Sequence, residues 1–102
     1  MNICYECQYY LDTQLIISVR NGDIDNIQQL LYNGANPNFQ NEYNVFTLMC
    51  ISSENTLEIA DILLKAGANP HLTDIKGNSV LIWATRVHKY PKNVVTLISS
   101  YL

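Results

Sequence analysis

Two stretches of this chain repeat the same eight-residue pattern, 33 positions apart. The pattern Leu-Leu-x-x-Gly-Ala-Asn-Pro begins at Leu30 and again at Leu63. A spacing that holds over all eight positions is not expected by chance. A period of a few tens of residues is the signature of a repeat architecture, in which small units stack on one another. The pattern therefore restricts the chain to folds built from similar, consecutive units.

The apolar residues before each copy predict a helix. Their spacing is i, i+3, i+6 and i+7 in both segments: Ile24, Ile27, Leu30 and Leu31, then Leu57, Ala60, Leu63 and Leu64. This spacing is typical of one face of an amphipathic helix. Gly34 and Gly67 predict the ends of these helices, because glycine adopts the left-handed conformation that a helix C-terminus often needs. The Asn-Pro that follows blocks continuation of the helix.

A shorter apolar segment precedes each predicted helix, at residues 13–19, 46–51 and 79–84. Leu15, Leu48 and Leu81 occupy equivalent places in these segments, again at steps of 33. We therefore expect a unit of turn, helix, short connection and helix, repeated nearly three times. In the third unit the connection at residues 86–93 is one residue longer, and the last helical segment aligns after that single insertion.

Length and composition indicate one ordinary globular domain. The chain has 102 residues, of which 48% are hydrophobic and 15% are charged. It contains no apolar run of about 18 residues for a membrane span, and its start has neither a basic nor an apolar signal region. Three cysteines, an odd number, argue against a disulfide framework. We expect a soluble cytoplasmic protein that is not associated with a membrane.

The charge is unevenly distributed along the chain. Eight acidic residues against Arg20 give residues 1–64 a charge of −7, whereas five basic residues against Asp74 give residues 65–102 a charge of +4. Either this dipole steers a partner or it reflects ordinary surface solvation. Five dispersed cations without interleaved aromatic residues are too few for a nucleic-acid groove, so we expect no nucleic-acid binding.

No arrangement typical of an enzyme is found. The chain lacks a Gly-x-Gly-x-x-Gly sequence and a Gly-Lys-Ser/Thr sequence, and His71 and His88 are predicted to lie on the surface. The Cys4 and Cys7 pair has the spacing of half a zinc site or of a redox couple, and Cys50, His71 and His88 could complete a metal site. In the other interpretation, residues 1–11 form an amphipathic segment covering the end of the stack, with its apolar side made by Ile3, Cys7, Tyr10 and Leu11. We predict no catalytic residue, metal or cofactor, and keep a metal-binding or thiol-redox protein as the alternative.

The pattern resembles the ankyrin repeat over residues 12–102, and most closely at residues 63–84, "LLKAGANPHLTDIKGNSVLIWA". The family's Thr-Pro pair is replaced by Thr13-Gln14, Phe46-Thr47 and Ser79-Val80, and its histidine by Ile16, Met49 and Ile82. Residues 74–77 have the composition of a good turn, whereas the equivalent residues 41–44 predict a weaker one. The resemblance implies an all-α ankyrin-repeat solenoid of helix-turn-helix units joined by hairpin-like turns. It divides the chain into an N-terminal cap (1–11), a first unit (12–38), a second unit (39–71) and a truncated third unit (72–102).

The resemblance also implies a non-enzymatic module that binds another protein through its hairpin tips and the concave face of its first helices. The positions that match are Gln40, Glu42, Tyr43, Val45, Ser53 and Glu54 in the second unit, and Thr73, Ile75, Lys76, Asn78, Arg86 and Val87 in the third. An inhibitor or immunity-type protein and an adaptor are both compatible with this reading. Met49 is expected in the core, and Trp83 either in the core or on the binding face.

A second contact surface is predicted at the C-terminus. The stretch 93–102 contains no charged side chain, and Val95 and Leu102 are offset from the buried stripe of the last helix. We therefore expect the C-terminal face to be used for self-association or for the partner, because little polar cover protects it.

Overall fold

A computed structural model describes residues 5–51, 55–87 and 90–102. Within these residues the chain forms five α-helices: α1 (Tyr5–Asn21), α2 (Ile24–Tyr32), α3 (Thr56–Lys65), α4 (Val80–Ile82) and α5 (Lys92–Ser100). A 3₁₀ turn covers Thr47–Met49, and a π-helical turn covers Trp83–Val87. An isolated β-bridge joins Thr73 and Ser79. The expected all-α architecture of stacked units is confirmed.

One continuous core holds the units together. Helix α1 packs on α2, α3 packs on α5, and the 3₁₀ turn contacts both α1 and α3. The largest fully buried side chains come from every unit: Leu15, Val19, Ile27, Phe46, Leu48, Ile51, Ile59, Leu63, Val80, Val94 and Ile98. Met49 is buried among them, as expected. Because apolar burial is the main stabilising term, each unit is stabilised by packing on its neighbours.

The two Gly-Ala-Asn-Pro stretches end α2 and α3 in the same way. Gly34 and Gly67 have φ of 101° and 99°. The Ala68 amide donates to the carbonyl of Leu63 (2.9 Å) and the Gly67 amide to that of Leu64 (3.1 Å), and the same two bonds recur at residues 34 and 35. This pair of bonds is the Schellman motif, which requires positive φ at the glycine. The predicted helix ends are therefore confirmed.

The asparagine before each proline stabilises the turn that follows. The Asn36 side-chain oxygen accepts a hydrogen bond from the amide of Asn38, and the Asn69 side-chain oxygen accepts one from His71, both at 2.9 Å. Asparagine favours this local turn because its side chain replaces a backbone acceptor. The chain therefore leaves each helix in the same direction, which keeps successive units in register.

Side chains also join consecutive units directly. The Asn38 side chain accepts a hydrogen bond from the Asn69 amide (2.6 Å) and donates one to the Gly67 carbonyl (3.0 Å). Between the second and third units, the Tyr90 hydroxyl donates to the carbonyl of Leu48 at 3.0 Å. Burial raises the pKa of Tyr90 well above its usual range, so this hydroxyl stays protonated and available as a donor.

The first helices of the second and third units differ from the regular α-helices that were expected. In the apolar segment at 46–51, the regular structure is the 3₁₀ turn Thr47–Met49. All six of its residues are buried, so tertiary packing rather than an amphipathic face determines its path. Phe46 supplies no side-chain cap to the turn. In the third unit, Ser79 caps α4, whose three residues run into the π-helical turn. A π turn contains about one more residue than an α turn.

Both ends of the chain differ in part from expectation. Helix α1 runs continuously through the boundary predicted at residue 12, and Tyr10 is 61% exposed rather than covering the stack. At the other end Val95 is half-buried and packs on the core instead of facing outwards. Tyr101 and Leu102 are exposed. The exposed residues of α5 are all polar: Lys92, Asn93, Thr96, Ser99 and Ser100.

Candidate partner-binding surface

The two hairpin tips, residues 41–45 and 74–78, have the same hydrogen-bond pattern. Asn41 Oδ1 accepts bonds from the amides of Tyr43 (2.9 Å) and Val45 (3.0 Å). Asp74 Oδ1 accepts equivalent bonds from the amides two and four residues on, at 2.9 and 2.8 Å. The turn of the second unit therefore has the same geometry as that of the third, with the asparagine amide oxygen in place of the carboxylate.

The fourth residue of each tip has positive φ. Gly77 has φ of 81° and Asn44 has φ of 58°. Asparagine is one of the few residues other than glycine that adopts this conformation at low cost. The residue types at positions 44 and 77 are therefore both consistent with the positive φ that the two tips share.

The side chains between these fixed points project into solvent. Tyr43 is 66% exposed and Ile75 is 69% exposed, and both Glu42 and Lys76 are exposed beside them. Large apolar side chains at such exposure on ordered turns are features of partner-binding surfaces. Of the other predicted tip residues, Thr73 is exposed at the stem. Val45 is half-buried and packs on the core.

Two of the predicted binding residues form hydrogen bonds within the chain. Gln40 Nε2 donates to the carbonyls of Thr73 (2.8 Å) and Asn44 (3.1 Å), so it links one tip to the next. The Asn78 side chain donates to Asp74 Oδ2 at 3.1 Å. Gln40 and Asn78 therefore position the tips, and their polar groups have these intramolecular roles.

Asp74 connects the hairpin tip of the third unit, residues 74–78, to Trp83 in the π-helical turn. Its Oδ2 atom accepts a hydrogen bond from the Trp83 indole at 2.8 Å, in addition to the bonds from the tip. Burial acts to raise the pKa of the Asp74 carboxyl, but the hydrogen bonds from Asn78, Trp83 and Lys76 outweigh it, so the pKa is lowered. Trp83 is half-buried and packs on the core. Its ring therefore supports the tip from below.

The concave helix face is described only in part. Arg86 is exposed, whereas Ser53, Glu54 and the side chain of Val87 lie outside what the structure describes. Arg20 was not predicted as a site residue, although it precedes Arg86 by 66 positions, twice the repeat. It is exposed, and its guanidinium donates to the Cys50 sulfur at 3.7 Å. Burial raises the pKa of the Cys50 thiol, and Arg20 offsets part of that effect.

The residues considered for a metal site do not cluster where the structure describes them. In residues 5–51, 55–87 and 90–102, no group of three or more His, Cys, Asp or Glu side chains lies close enough to hold an ion. Cys7 and His71 are exposed and Cys50 is buried. Cys4 and His88 are outside the described residues. In the same part of the chain, no helix is both long and apolar enough to cross a bilayer.

Comparison with known proteins agrees with this geometry. A family model described as "Ankyrin repeats (3 copies)" matches residues 15–101. The chain is 33% identical over 92 residues to an ankyrin repeat protein of Acanthamoeba polyphaga mimivirus, a match that covers 86% of this chain and 57% of that protein. It is 41% identical over 71 residues to the human 2-5A-dependent ribonuclease, covering 69% of this chain and 10% of the ribonuclease.

These relatives are longer than the chain, which spans just over half of one and a tenth of the other. The match to the ribonuclease is therefore partial. The family model, in contrast, covers the Schellman turns, both hairpin tips and the last helix. By its repeat, its turns and this match, the chain belongs to the ankyrin-repeat family.

Proposed function

We propose that this chain is a non-enzymatic module that binds another protein through its two hairpin tips and the adjoining helix face. Ankyrin repeats are generally protein–protein interaction modules, and the family is typically non-enzymatic. The observation that carries the proposal is the exposure of Tyr43 and Ile75 on tips whose backbones are fixed by hydrogen bonds. A small inhibitor or immunity-type protein and an adaptor would both use such a surface.

The fixed geometry of the tips favours binding for an energetic reason. Flexible loops lose conformational freedom when they bind, and this loss reduces affinity. Here Asn41 and Asp74 already hold the backbone, and Gln40 links the two tips. A partner therefore meets an aromatic and an aliphatic side chain whose positions are largely preset. Glu42 and Lys76 beside them supply charges of opposite sign for specificity.

The experiment replaces both kinds of tip contact and compares the result with a matched surface change. A tagged chain would first capture its protein partner from the native organism. The double variant Tyr43→Ala and Lys76→Ala should then weaken binding of the purified partner by about 1 to 3 kcal/mol, with little change in melting temperature. Calorimetric titration would measure the affinity.

Tyr32→Ala is the control, because Tyr32 is 91% exposed and belongs to α2, not to either tip. It removes the same aromatic ring and should leave the affinity unchanged. Equal weakening by Tyr32→Ala and by the tip variant would contradict the proposal. So would a parallel loss of stability and binding in the tip variant.

We also infer a cytoplasmic location, supported by the odd number of cysteines, and no role in nucleic-acid binding, supported by the dispersed basic residues. The proposal of self-association through the C-terminal face is supported by the exposure of Tyr101 and Leu102. Because Val95 packs on the core, it is not a main part of that proposed surface.

A further inference from the structure

A cleft lies between α3 and α5, the second helices of the second and third units, which pack directly on each other. Its volume is about 380 Å³, and among the described residues it is lined by Leu57, Glu58 and Asp61 of α3 and by Leu97 of α5. This volume is at the small end of the range of about 300 to 1,000 Å³ for ligand pockets. The cleft therefore suits the side chains of a partner better than a large cofactor.

The two leucines of the cleft are more accessible than their counterparts in the other units. Leu57 is 42% exposed, whereas Ile24, the equivalent residue of α2, is half-buried. After the one-residue insertion, Leu97 is equivalent to Leu30 and Leu63. Those two leucines are 8% and 0% exposed, whereas Leu97 is half-buried. Accessible apolar surface in a concave site is a feature of binding sites.

Two acidic residues lie beside this apolar surface. Glu58 and Asp61 are three residues apart on α3, so they lie on the same side of the helix. The equivalent positions carry an acid and a glutamine on α2, and a lysine and a valine on α5. The acidic pair is therefore particular to the second unit and is not a requirement of the repeat.

The negative charge of the cleft is only partly compensated within the chain. Asp61 forms an ion pair with Lys65 at 3.0 Å, and the Lys65 side chain is 70% exposed. Exposed pairs of this kind contribute little to stability, so a cation from a partner can replace Lys65 at low cost. Among the described residues, Glu58 forms no ion pair, and Lys92 at the start of α5 does not line the cleft.

We propose that this cleft binds a protein segment in which a large apolar side chain lies next to a lysine or an arginine. The apolar side chain contacts Leu57 and Leu97, and the cation contacts Glu58 and Asp61. A peptide supplies both groups at neighbouring positions of one chain, and amphipathic segments commonly bind to apolar grooves between helices in this way. The cleft is separate in sequence from the hairpin tips, so this proposal goes beyond the function proposed above and does not depend on it.

Titration of the full, ¹⁵N-labelled chain with short synthetic peptides tests the proposal by nuclear magnetic resonance. The peptides differ only at their central pair of residues, which is leucine–arginine, leucine–glutamate or serine–arginine. The leucine–arginine peptide should shift the amide signals of residues 57–61 and 97 in a saturable way. The other two should bind about tenfold more weakly, because one meets like charge and the other loses the apolar contact.

Substitutions in the cleft should change the affinity for the leucine–arginine peptide. Leu57→Ala should weaken binding about five- to tenfold, because it removes apolar contact area. Glu58→Gln should weaken it about two- to fivefold. Lys65→Ala should strengthen it about two- to fivefold, because the Asp61 carboxylate then loses its competing partner. A variant that was only destabilised would not bind more tightly.

Asp25→Asn is the matched control for Glu58→Gln. Asp25 is the equivalent residue of α2, it is exposed, and its replacement removes the same charge from the first turn of a helix. It should leave the affinity for the peptide unchanged. Far-ultraviolet circular dichroism of each variant checks that the helices are retained.

Equal binding of the leucine–arginine and leucine–glutamate peptides would overturn the proposal, because the acidic pair would then select nothing. Absence of binding, shifts confined to other parts of the chain, or weaker binding by Lys65→Ala would also overturn it. Shifts in the cleft that depend on protein concentration without any peptide would assign the cleft to a second copy of the chain instead. None of these variants alters the hairpin tips, so failure here leaves the proposed binding function untouched.

Discussion

The end of α3 depends on the backbone conformation of Gly67, and this dependence leads to a quantitative prediction. Gly67 has φ of 99°, and a Cβ built on it meets no atom within 4 Å. Any cost of a larger residue therefore comes from the backbone conformation itself and not from a collision. The conformation is fixed by the two Schellman hydrogen bonds to Leu63 and Leu64, which a rotated backbone would break.

The magnitude follows from the cost of positive φ for residues with a Cβ. Gly67→Ala should lower the free energy of unfolding by about 1 to 2 kcal/mol, the usual cost of the left-handed conformation. Asparagine should recover only part of this loss, because its left-handed well lies near +60° and not near +100°. Gly67→Val should cost most, up to about 3 kcal/mol, because a β-branched side chain fits this region least well.

Urea denaturation followed by far-ultraviolet circular dichroism measures these differences. A loss of 1 kcal/mol corresponds to a decrease of about 4 to 8 °C in melting temperature for a domain of this size. Ala66→Gly is the matched control, because residue 66 has φ of −79° and needs no glycine. It should cost less than about 1 kcal/mol. If Gly67→Ala unfolded at the wild-type urea concentration, the Schellman turn would not be fixing the helix end.

Three further predictions concern side-chain hydrogen bonds. Tyr90→Phe removes the buried hydrogen bond to Leu48 and should cost about 1 to 2 kcal/mol in thermal denaturation; no change would mean that the carbonyl finds another donor. Asn38→Ala removes the two hydrogen bonds that the Asn38 side chain makes to the second unit and should destabilise by about 1 to 2 kcal/mol; an unchanged denaturation midpoint would mean that the core alone keeps the units in register. The hydrogen bonds that outweigh burial lower the pKa of Asp74, so its contribution to stability is complete above the ordinary aspartate pKa of about 3.9 and is lost as the pH falls below it. Melting temperatures measured from about pH 5 to pH 2 should therefore fall more steeply for the wild type than for Asp74→Asn, and equal slopes would contradict this role for the carboxylate.

The parts of the fold that could be predicted are those whose signal is local. Gly34 and Gly67 end their helices because the conformation of a helix terminus depends on a few adjacent residues. The apolar segment at 46–51 differs from the expected helix, because a fully buried run has no amphipathic pattern that indicates its secondary structure. Its conformation is set by packing on α1 and α3, which the segment itself does not encode.

The candidate site shows the same division. Exposed tip positions such as Tyr43 and Ile75 follow from the repeat alone. The roles of Gln40 and Trp83 depend on acceptors elsewhere, since Gln40 bonds to a carbonyl 33 residues away and Trp83 to Asp74 in the hairpin. When the acceptor of a hydrogen bond lies in another segment, the residues next to the donor do not indicate that the bond forms. Such contacts could be identified only in the folded chain.

The unequal lengths of the first helices have a consequence for the order of folding. Helix α1 has 17 residues, and only Gly22 and Asp23 separate it from α2, so the first helical pair forms with a small loss of loop entropy. The 3₁₀ turn and the three-residue α4 bury themselves against neighbouring helices and gain little before those helices exist. Structure should therefore nucleate in residues 5–32 and propagate towards the C-terminus. Amide hydrogen exchange should therefore be fastest in the third unit and slowest in α1.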